Sequence, residues 1–354
     1  NQALGIFTVS TFLKMAIIKW SYIEHTIIRN FAILNSCWAQ GSVTIARHLF
    51  QQRLDIFLMS VGPQHKGLLT AINNRKFELA KFIVDSLPNY DFSLNHNYLN
   101  VIIEATIFVE FWDLLDELYR RCPTSFNHLH LISAAKKGSV RALRTLSIHA
   151  KKIRKVLVIT AILRGYSEFL VELHSMGLLV SRFRTALNES GQTAAHIAAS
   201  VENLECLVYV LDQHQARGIN LLKYRDFNGL LPIHLAAQKQ NPNILLEIIR
   251  RYPSYSSILD RIFPSDLRSP LEAAILSNRY DNVIILLNHF PKLIELQNQY
   301  GETAIHGATF CENIAILDLL LSIAPSSIIR ATSKNGNTAL HFAASNSRTD
   351  KIEL

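Results

Sequence analysis

The chain has 354 residues, of which 49% are hydrophobic and 18% charged, and its mean hydropathy is +0.15. This composition is too apolar for an intrinsically disordered chain, and no apolar run reaches the roughly 18 residues that a transmembrane helix needs. The net charge is +8, but residues 120–164 hold eleven Lys or Arg and no Asp or Glu, so the positive charge is local.

The first part of the chain has the apolar spacing of helix pairs. Gly41 followed by Val43–Phe50 indicates the turn and second helix of one pair, and residues 15–30 are expected to form a partial, capping unit. The next pair is clearer, because Gly67–Asn74 precedes Phe77–Val84, in which apolar residues recur at helical spacing. The sequence therefore predicts helical hairpins from early in the chain.

Three further pairs follow at decreasing intervals. They are predicted at Tyr98–Arg120, Ile132–Leu143 and Ile159–Leu170, and the last two follow their predecessors by about 29 and 27 residues. This spacing leaves too little chain for a projecting loop. We therefore expect these units to be helix pairs with tight connections.

A nine-residue pattern recurs in the second half of the chain. It reads Gly-Leu-Leu-Pro-Ile-His-Leu-Ala-Ala at residues 229–237, and related sequences occupy 191–199, 269–274, 303–308 and 338–344. The position of its histidine falls at residues 196, 234, 272, 306 and 341, so the intervals are 38, 38, 34 and 35. A period of this size indicates a repeat array.

Each copy also carries signals for helix starts. A hydroxyl residue or a proline precedes or opens the first helix, and an asparagine precedes the second. These residues are Thr193, Ser269, Thr303, Thr338, Pro232 and Pro270 for the first helix, and Asn203, Asn241 and Asn313 for the second. Every unit of this region is therefore predicted to be a helix–turn–helix.

These residues resemble ankyrin repeats, whose Thr-Pro-Leu-His-x-Ala-Ala core opens the first of two antiparallel helices. The resemblance is strong from about residue 188 to 354 and is carried by helix pattern alone in residues 1–187. It implies an all-α solenoid of about ten stacked units with short β-hairpin fingers. Residues 1–187 would then be degenerate repeats that include the basic block at 120–164, and 188–354 regular repeats with the last one truncated.

The resemblance also implies a structural role for the recurring histidines. His196, His234, His306 and His341 would bond turn backbone and the capping residues Thr193, Thr303 and Thr338. Neighbouring repeats stand roughly 10 Å apart, so these histidines cannot share a metal whose bonds are about 2 Å long. Glu272 replaces the histidine in one repeat and Leu231 replaces the threonine in another, and we expect weaker networks there.

The sequence offers no catalytic or cofactor motif. The four cysteines, Cys37, Cys122, Cys206 and Cys311, are isolated and form no C-x-x-C pair, which argues against zinc and disulfides and favours a reducing compartment. We predict a non-enzymatic intracellular protein without cofactors, cytoplasmic or nuclear. The chain lacks a signal-peptide profile, starts without Met and stops within a predicted helix, so we expect it to belong to a larger protein.

The predicted function is protein binding, as a scaffold or adaptor, through a concave surface lined by finger tips and first helices. The candidate contacts are Arg225, Asp226, Phe227, Asn228, Asn298, Gln299, Tyr300, Lys334 and Asn335. The longer intervals place extra residues at 214–224 and 252–266, and insertions of repeat proteins often lie on the binding face.

The basic block is a second candidate site. Its residues are Lys136, Lys137, Arg141, Arg144, Lys151, Lys152, Arg154 and Lys155. A solvated flank, an acidic protein partner, and nucleic acid or anionic lipid all remain open, although the scarcity of interleaved aromatic residues disfavours single-stranded nucleic acid. A further alternative is that the array is the targeting module of a multidomain effector that an intracellular bacterium delivers into a host cell.

Overall fold

The computed structural model describes residues 35, 38–52, 57, 66–86, 96–178, 187–216, 218–253 and 269–345. These residues form helices and connecting turns, with no β-strand among them. The chain divides into two compact units, Asn1–Lys152 and Ile153–Leu354. The predicted cap at residues 15–30, Cys37, and most of the insertion at 252–266 lie outside the described residues.

The first unit is a series of helical hairpins. Its helices are α1 (Val43–Gln52), α2 (Gly67–Asn73), α3 (Phe77–Asp85), α4 (His96–Phe108), α5 (Trp112–Arg121), α6 (His128–Ala135) and α7 (Val140–Thr145), with 3₁₀ turns at Pro123–Ser125 and Ser147–His149. First helices pack on first helices, as α2 on α4 and α4 on α6, and second helices pack on second helices, as α1 on α3 and α5 on α7. Ile83, Ile102 and Leu115 are among its fully buried residues.

The second unit repeats the same arrangement. Its helices are α8 (Ala150–Arg164), α9 (Ser167–Ser175), α10 (Ala194–Ser200), α11 (Leu204–Gln215), α12 (Pro232–Ala237), α13 (Pro242–Arg251), α14 (Pro270–Leu276), α15 (Tyr280–His289), α16 (Ala304–Ala308), α17 (Ile314–Ile323), α18 (Ser326–Ile329) and α19 (Ala339–Ser345). The first residues of α8, Ala150–Lys152, belong to the first unit. Ile153 within α8 has non-helical angles, φ −118° and ψ 16°, and the second unit begins at this residue. The even-numbered helices α10 to α16 pack in succession, and so do the odd-numbered helices α9 to α17.

The connection between the two helices has a shared geometry in several hairpins. A residue with positive φ follows the first helix, and the next backbone N–H donates back to a carbonyl five residues earlier, as Lys76 does to Ala71 at 2.9 Å and Arg279 to Ala274 at 2.9 Å. This is the bond that closes helices whose C′ residue is left-handed. The left-handed residue is glycine at Gly138 and Gly165. Elsewhere it is Arg75, Glu110, Glu202 or Asn278.

The second helices begin at the asparagines that the sequence indicates. The side-chain oxygen of Asn203 accepts from the N–H of Cys206 at 2.7 Å, and Asn241 and Asn313 accept in the same way from the residues two positions on. Each oxygen satisfies one of the N–H groups that a helix start leaves without a partner inside the helix. Among the described helices, none is long and apolar enough to cross a bilayer.

Candidate binding surface

A four-residue turn with a shared design precedes the first helix of four repeats in the second unit. Its first residue is Asn188, Asp226, Asn298 or Ser333, and its fourth is Gly191, Gly229, Gly301 or Gly336. The glycine N–H donates to the carbonyl of the first residue at 2.9–3.2 Å, and the glycine φ lies between 75° and 78°. Glycine adopts this left-handed conformation without steric cost, which closes the turn.

The first side chain of the turn is part of its framework. Asp226 Oδ1 accepts from the N–H groups of Asn228 and Leu230, both at 2.9 Å. Asn298 Oδ1 accepts in the same way from Tyr300 at 2.9 Å and Glu302 at 3.0 Å. Each oxygen therefore stabilises the turn from within.

Consecutive turns are joined through their backbones. The N–H of Phe227 donates to the carbonyl of Ser190 at 3.0 Å, and the N–H of Lys334 donates to that of Tyr300 at 2.7 Å. The expected β-hairpin fingers take the form of these closed turns, since the described residues contain no β-strand. The backbone at each tip is thus fixed by its own turn and by its neighbour.

A buried histidine connects two of these turns, at residues 226–229 and 333–336, to the preceding repeat. Nδ1 of His196 accepts from the N–H of Thr193 at 3.2 Å and lies 2.8 Å from its Oγ1, while Nε2 lies 3.0 Å from the carbonyl oxygen of Leu230 in the next repeat. That same carbonyl accepts the N–H that closes the next turn, from Asp226 at 2.9 Å. The histidine therefore holds the turn of the next repeat against the helix to which the histidine itself belongs.

The repeat that contains His306 has the same arrangement. Nδ1 accepts from the N–H of Thr303 at 3.1 Å, and Nε2 lies 3.2 Å from the carbonyl oxygen of Asn337. That carbonyl also accepts from the N–H of Ser333 at 2.8 Å. His341 keeps the contacts to Thr338, at 3.2 Å to its N–H and 2.8 Å to Oγ1, but is exposed.

These contacts determine the protonation state of the buried rings. A carbonyl oxygen only accepts, so Nε2 must carry the proton, and Nδ1 must be free of one because it accepts a backbone N–H. Burial lowers the pKa of His196 and of His306, and it lowers the pKa of His234 to about 3. The neutral Nε2-protonated ring is therefore the form that links the repeats.

Two repeats lack one residue of the motif, and other groups form the bonds at the starts of their first helices. Leu231 has no hydroxyl, so the helix start there is bonded through the Leu231 N–H, which donates to Nδ1 of His234 at 3.0 Å. Glu272 forms a reciprocal cap with Ser269, through bonds of 2.9 and 3.1 Å, and its Oε1 lies 3.5 Å from Nδ2 of Asn298 in the next turn. A carboxylate thus takes the position of the histidine.

The structure divides the predicted tip contacts into two groups. Asp226 is buried and Asn298 is half-buried, and both hold their turns, as does Arg225, whose Nη1 donates to the Gly229 carbonyl at 2.7 Å. Gln299 is also half-buried. The remaining predicted contacts, Phe227, Asn228, Tyr300, Lys334 and Asn335, are exposed, with 77% of Phe227 and 58% of Tyr300 in solvent.

Gly191 provides a test of this turn geometry. A Cβ at Gly191 would lie 2.5 Å from Cδ1 of Phe227, whereas at Gly336, which has nearly the same φ, nothing lies within 4 Å. We expect Gly191→Ala to lower the free energy of unfolding by about 2–3 kcal/mol, from backbone strain plus the clash, and Gly336→Ala by about 1 kcal/mol from strain alone. Urea denaturation of both variants measures the difference, and equal losses would show that Phe227 does not lie over Gly191.

Carboxylates pair with basic residues in the first part of the basic block, although residues 120–164 themselves contain no Asp or Glu. Glu117 pairs with both Arg120 and Arg121, and the bond from Arg120 is the main cause that lowers the pKa of Glu117. Arg141 pairs with Asp113 at 2.7 Å and Asp116 at 2.6 Å. These acids precede residue 120 in the chain, and the packing of α5 on α7 brings Asp113 and Asp116 to Arg141.

The other predicted basic residues have varied surroundings. Lys137 Nζ lies 3.5 Å from Glu110 and 4.7 Å from the centre of the Phe108 ring. Lys136, Arg144, Arg154 and Lys155 are exposed, and the side chains of Lys151 and Lys152 lie outside what the structure describes. The eight residues therefore do not form one uniform, uncompensated patch.

The cysteines have the environment of packing residues. Cys122, Cys206 and Cys311 are buried and not in disulfides, and burial raises the pKa of Cys206 to about 11. A thiol with a raised pKa is a poor nucleophile at neutral pH. Within the described ranges, no group of three or more His, Cys, Asp or Glu side chains is placed to hold a metal ion.

The described residues of the insertion predicted at 214–224 contact first helices, since their 3₁₀ turn packs on α10 and α12. This turn spans Leu221–Lys223, and together with Leu211 and Arg251 the insertion surrounds a hollow of about 230 Å³. Arg251 is held there by Glu247 at 2.7 Å and by Asp212.

Helical hairpins that pack in succession within each unit, with His196, Glu272 and His306 reaching the turn of the next repeat, define a helical-repeat protein. Residues 271–354 match the family model described as ankyrin repeats, in three copies. The chain therefore carries ankyrin repeats.

Two curated relatives are similar to part of the chain. The B-cell lymphoma 3 protein homolog of Mus musculus is 29% identical over 124 residues, which are 35% of this chain and 26% of that protein. NF-kappa-B inhibitor zeta of Bos taurus is 28% identical over 162 residues, 44% of this chain and 20% of that protein. The chain thus spans about a quarter of the first relative and a fifth of the second.

Solved ankyrin-repeat domains are also similar to the chain. The human ASB11 ankyrin repeat domain matches with a TM-score of 0.49 and 19% identity, over 63% of this chain and 94% of that one. The ankyrin repeat domain of Bcl-3 matches with a TM-score of 0.46 and 22% identity, over 63% of this chain and 95% of that one.

Proposed function

We propose that the protein is a non-catalytic binding module that contacts a partner protein through the exposed tips of its turns. The observation that carries this proposal is the contrast between fixed backbone and exposed side chains at the tips. Phe227 and Tyr300 are large aromatic residues in solvent, while their backbones are bonded to neighbouring turns. Aromatic anchors on a rigid backbone lose little entropy on binding and often dominate the energy of an interface.

Apolar residues at the far ends of the first helices extend this surface. Leu276 ends α14 with 38% of its side chain exposed, and Phe310, at the equivalent position 34 residues later, is 52% exposed. The ring of Phe310 meets that of Phe342 edge to face, with centroids 5.7 Å apart. Exposed apolar side chains at equivalent positions of successive repeats suit a partner that runs along the array.

The class of partner follows from the family and from the chemistry of the surface. Ankyrin repeats are protein-interaction modules, and one relative has a name, NF-kappa-B inhibitor zeta, that describes action on another protein. The exposed tip residues are aromatic, amide and lysine side chains, which supply contact area and hydrogen bonds rather than a nucleophile or an acid–base pair. We place the protein inside the cell, since Cys122, Cys206 and Cys311 are not joined in disulfides, which suits a reducing compartment.

Site-specific photo-crosslinking tests this proposal. A photo-reactive amino acid replaces Phe227 or Tyr300 in one pair of variants, and Leu246 or Ile323, exposed residues of second helices, in a control pair. We expect both tip positions to form an adduct with the same protein in cells, and neither control position to do so. An adduct that forms equally from all four positions, or from the controls alone, would contradict the proposal.

A further inference from the structure

The outward face of α8 is apolar, which is unusual for a surface helix. Leu157, Val158, Ala161 and Ile162 form its buried face, with exposures of 0–2%. On the opposite side the exposed fraction is 41% for Val156 and 52% for Leu163, and Ile159 and Thr160 between them are half-buried. A surface helix normally presents charged or polar residues on the side away from the core.

Helical geometry places these outward residues on one stripe. At about 100° per residue, Val156 and Leu163, seven positions apart, point within roughly 20° of each other. Ile159 lies between them along the helix, so the stripe has the i, i+3, i+7 spacing by which helices recognise one another. Val156, Ile159 and Leu163 thus form an apolar stripe opposite the core face.

Basic residues border this stripe. Lys155 lies on one side of it and Arg164 on the other, and Arg154 precedes it, all three exposed. Within the described residues Arg154 and Arg164 form no ion pair, unlike Arg141, which is bonded to two carboxylates. The nearest acid along the chain on the C-terminal side is Glu168, in the first turn of α9.

We propose that the outward face of α8 binds an amphipathic helix of a partner protein, with apolar residues along its centre and Asp or Glu on both flanks. The positive charge of the borders favours a partner with negative charge, because Lys155 and Arg164 complement carboxylates on either side of an apolar contact. A nucleic acid or an anionic membrane surface also offers negative charge. Nucleic-acid phosphates make no use of an apolar stripe enclosed by basic residues. A bilayer would bury such a stripe in its interface, and titration with vesicles distinguishes that outcome.

Designed peptides test this inference. A labelled helical peptide carries Leu at i, i+4 and i+7 with Glu on both flanks, a second peptide has Lys in place of Glu, and a third has Ser in place of Leu. We expect the Glu-flanked peptide alone to bind the full chain by fluorescence anisotropy. We expect Leu163→Ser and Arg164→Glu each to weaken binding about tenfold, as for residues at the centre of an interface.

Matched substitutions elsewhere serve as controls. Val171→Ser removes an apolar side chain of similar exposure from α9, and Arg330→Glu reverses an exposed charge after α18. Both should leave peptide binding unchanged, and all four variants should keep the thermal unfolding midpoint of the parent because the altered side chains are exposed. Equal binding of the Lys-flanked peptide, no binding of the Glu-flanked peptide, or equal weakening by Val171→Ser would overturn the proposal.

Two other ligands test whether α8 binds a nucleic acid or a membrane surface instead of a helix. A single-stranded RNA oligomer and vesicles of phosphatidylcholine with phosphatidylserine are titrated with the same variants. Binding of the RNA that falls with Arg164→Glu but not with Leu163→Ser, or binding of the vesicles that falls with either variant, would assign α8 to phosphate or membrane recognition and overturn the proposal. The crosslinks at Phe227 and Tyr300 do not involve α8, so failure at one site leaves the other to be judged by its own experiment.

Discussion

His196→Ala is expected to lower the free energy of unfolding by about 2–4 kcal/mol. The ring is fully buried, and its removal leaves a cavity, a buried Thr193 N–H without its acceptor, and the loss of one donor to the Leu230 carbonyl. The link between two repeats is broken at the same time. Urea denaturation followed by circular dichroism measures the loss.

His341→Ala is the matched control for this prediction. His341 makes the same two contacts to Thr338, but it is exposed, so water replaces the lost bonds. We expect a loss of about 0.5 kcal/mol or less. Similar losses in the two variants would mean that the histidine stabilises the protein through local capping and not through the bond to the next turn.

Acid is expected to destabilise the protein strongly between pH 6.5 and pH 4.5, before the carboxylates titrate. Burial lowers the pKa of His130 to about 4 and that of His234 to about 3, from 6.5 in the unfolded chain, and it lowers the pKa of His196 and His306. The unfolded state therefore binds more protons than the folded state in this range. The stabilisation is complete above pH 6.5 and is lost as the pH falls, by about 1.4 kcal/mol per pH unit for each histidine that titrates only when unfolded.

Denaturation midpoints across this pH range measure the effect. His234→Gln should reduce stability at neutral pH yet flatten its dependence on pH, because one group that takes up a proton on unfolding has been removed. Paired carboxylates such as Glu117 and Glu247, whose pKa values are lowered by their arginines, add their own loss only below about pH 4.5. Stability that stays constant or rises from pH 6.5 to pH 4.5 would contradict buried neutral histidines.

The regular repeats were predictable because each local signal agrees with the architecture. The caps at Asn203, Asn241 and Asn313, and the prolines that open α12 and α14, lie where the sequence predicts them. These features depend on residues three or four positions apart, which a sequence shows directly. The family match at 271–354 falls within the strongly patterned part.

Contacts between repeats that residues outside the motif make were not predictable, since they join residues about one period apart. The carboxylate of Glu202 accepts from the N–H groups of Gln240 and Asn241 at 3.4 and 3.1 Å. The amide of Asn282 donates to the carbonyls of Ala237 and Lys239 at 2.9 and 2.7 Å. Neither residue belongs to the recurring motif, so only the stacked structure reveals its role.

The sequence predicted which turns form the candidate surface, but not which of their residues are exposed and which hold the turn. Asp226 reads as a tip residue from its position, yet its side chain holds the turn and is buried. The recurrence of Asn, Asp or Ser at positions 188, 226, 298 and 333 is the signal that identifies this role, because such side chains bond their own turn backbone. The sequence did not indicate that Arg141 pairs with carboxylates, because Asp113 and Asp116 lie on the preceding hairpin.

The side-chain nitrogen resonances of His196 and His306 test most directly that a histidine of one repeat holds the turn of the next. At neutral pH we predict a protonated Nε2 and an unprotonated Nδ1 in both rings, with a coupling across the hydrogen bond from Nε2 to the carbonyl of Leu230 or Asn337. Rings that are charged, or that carry the proton on Nδ1, would contradict the account, since such rings cannot accept the N–H of Thr193 or Thr303.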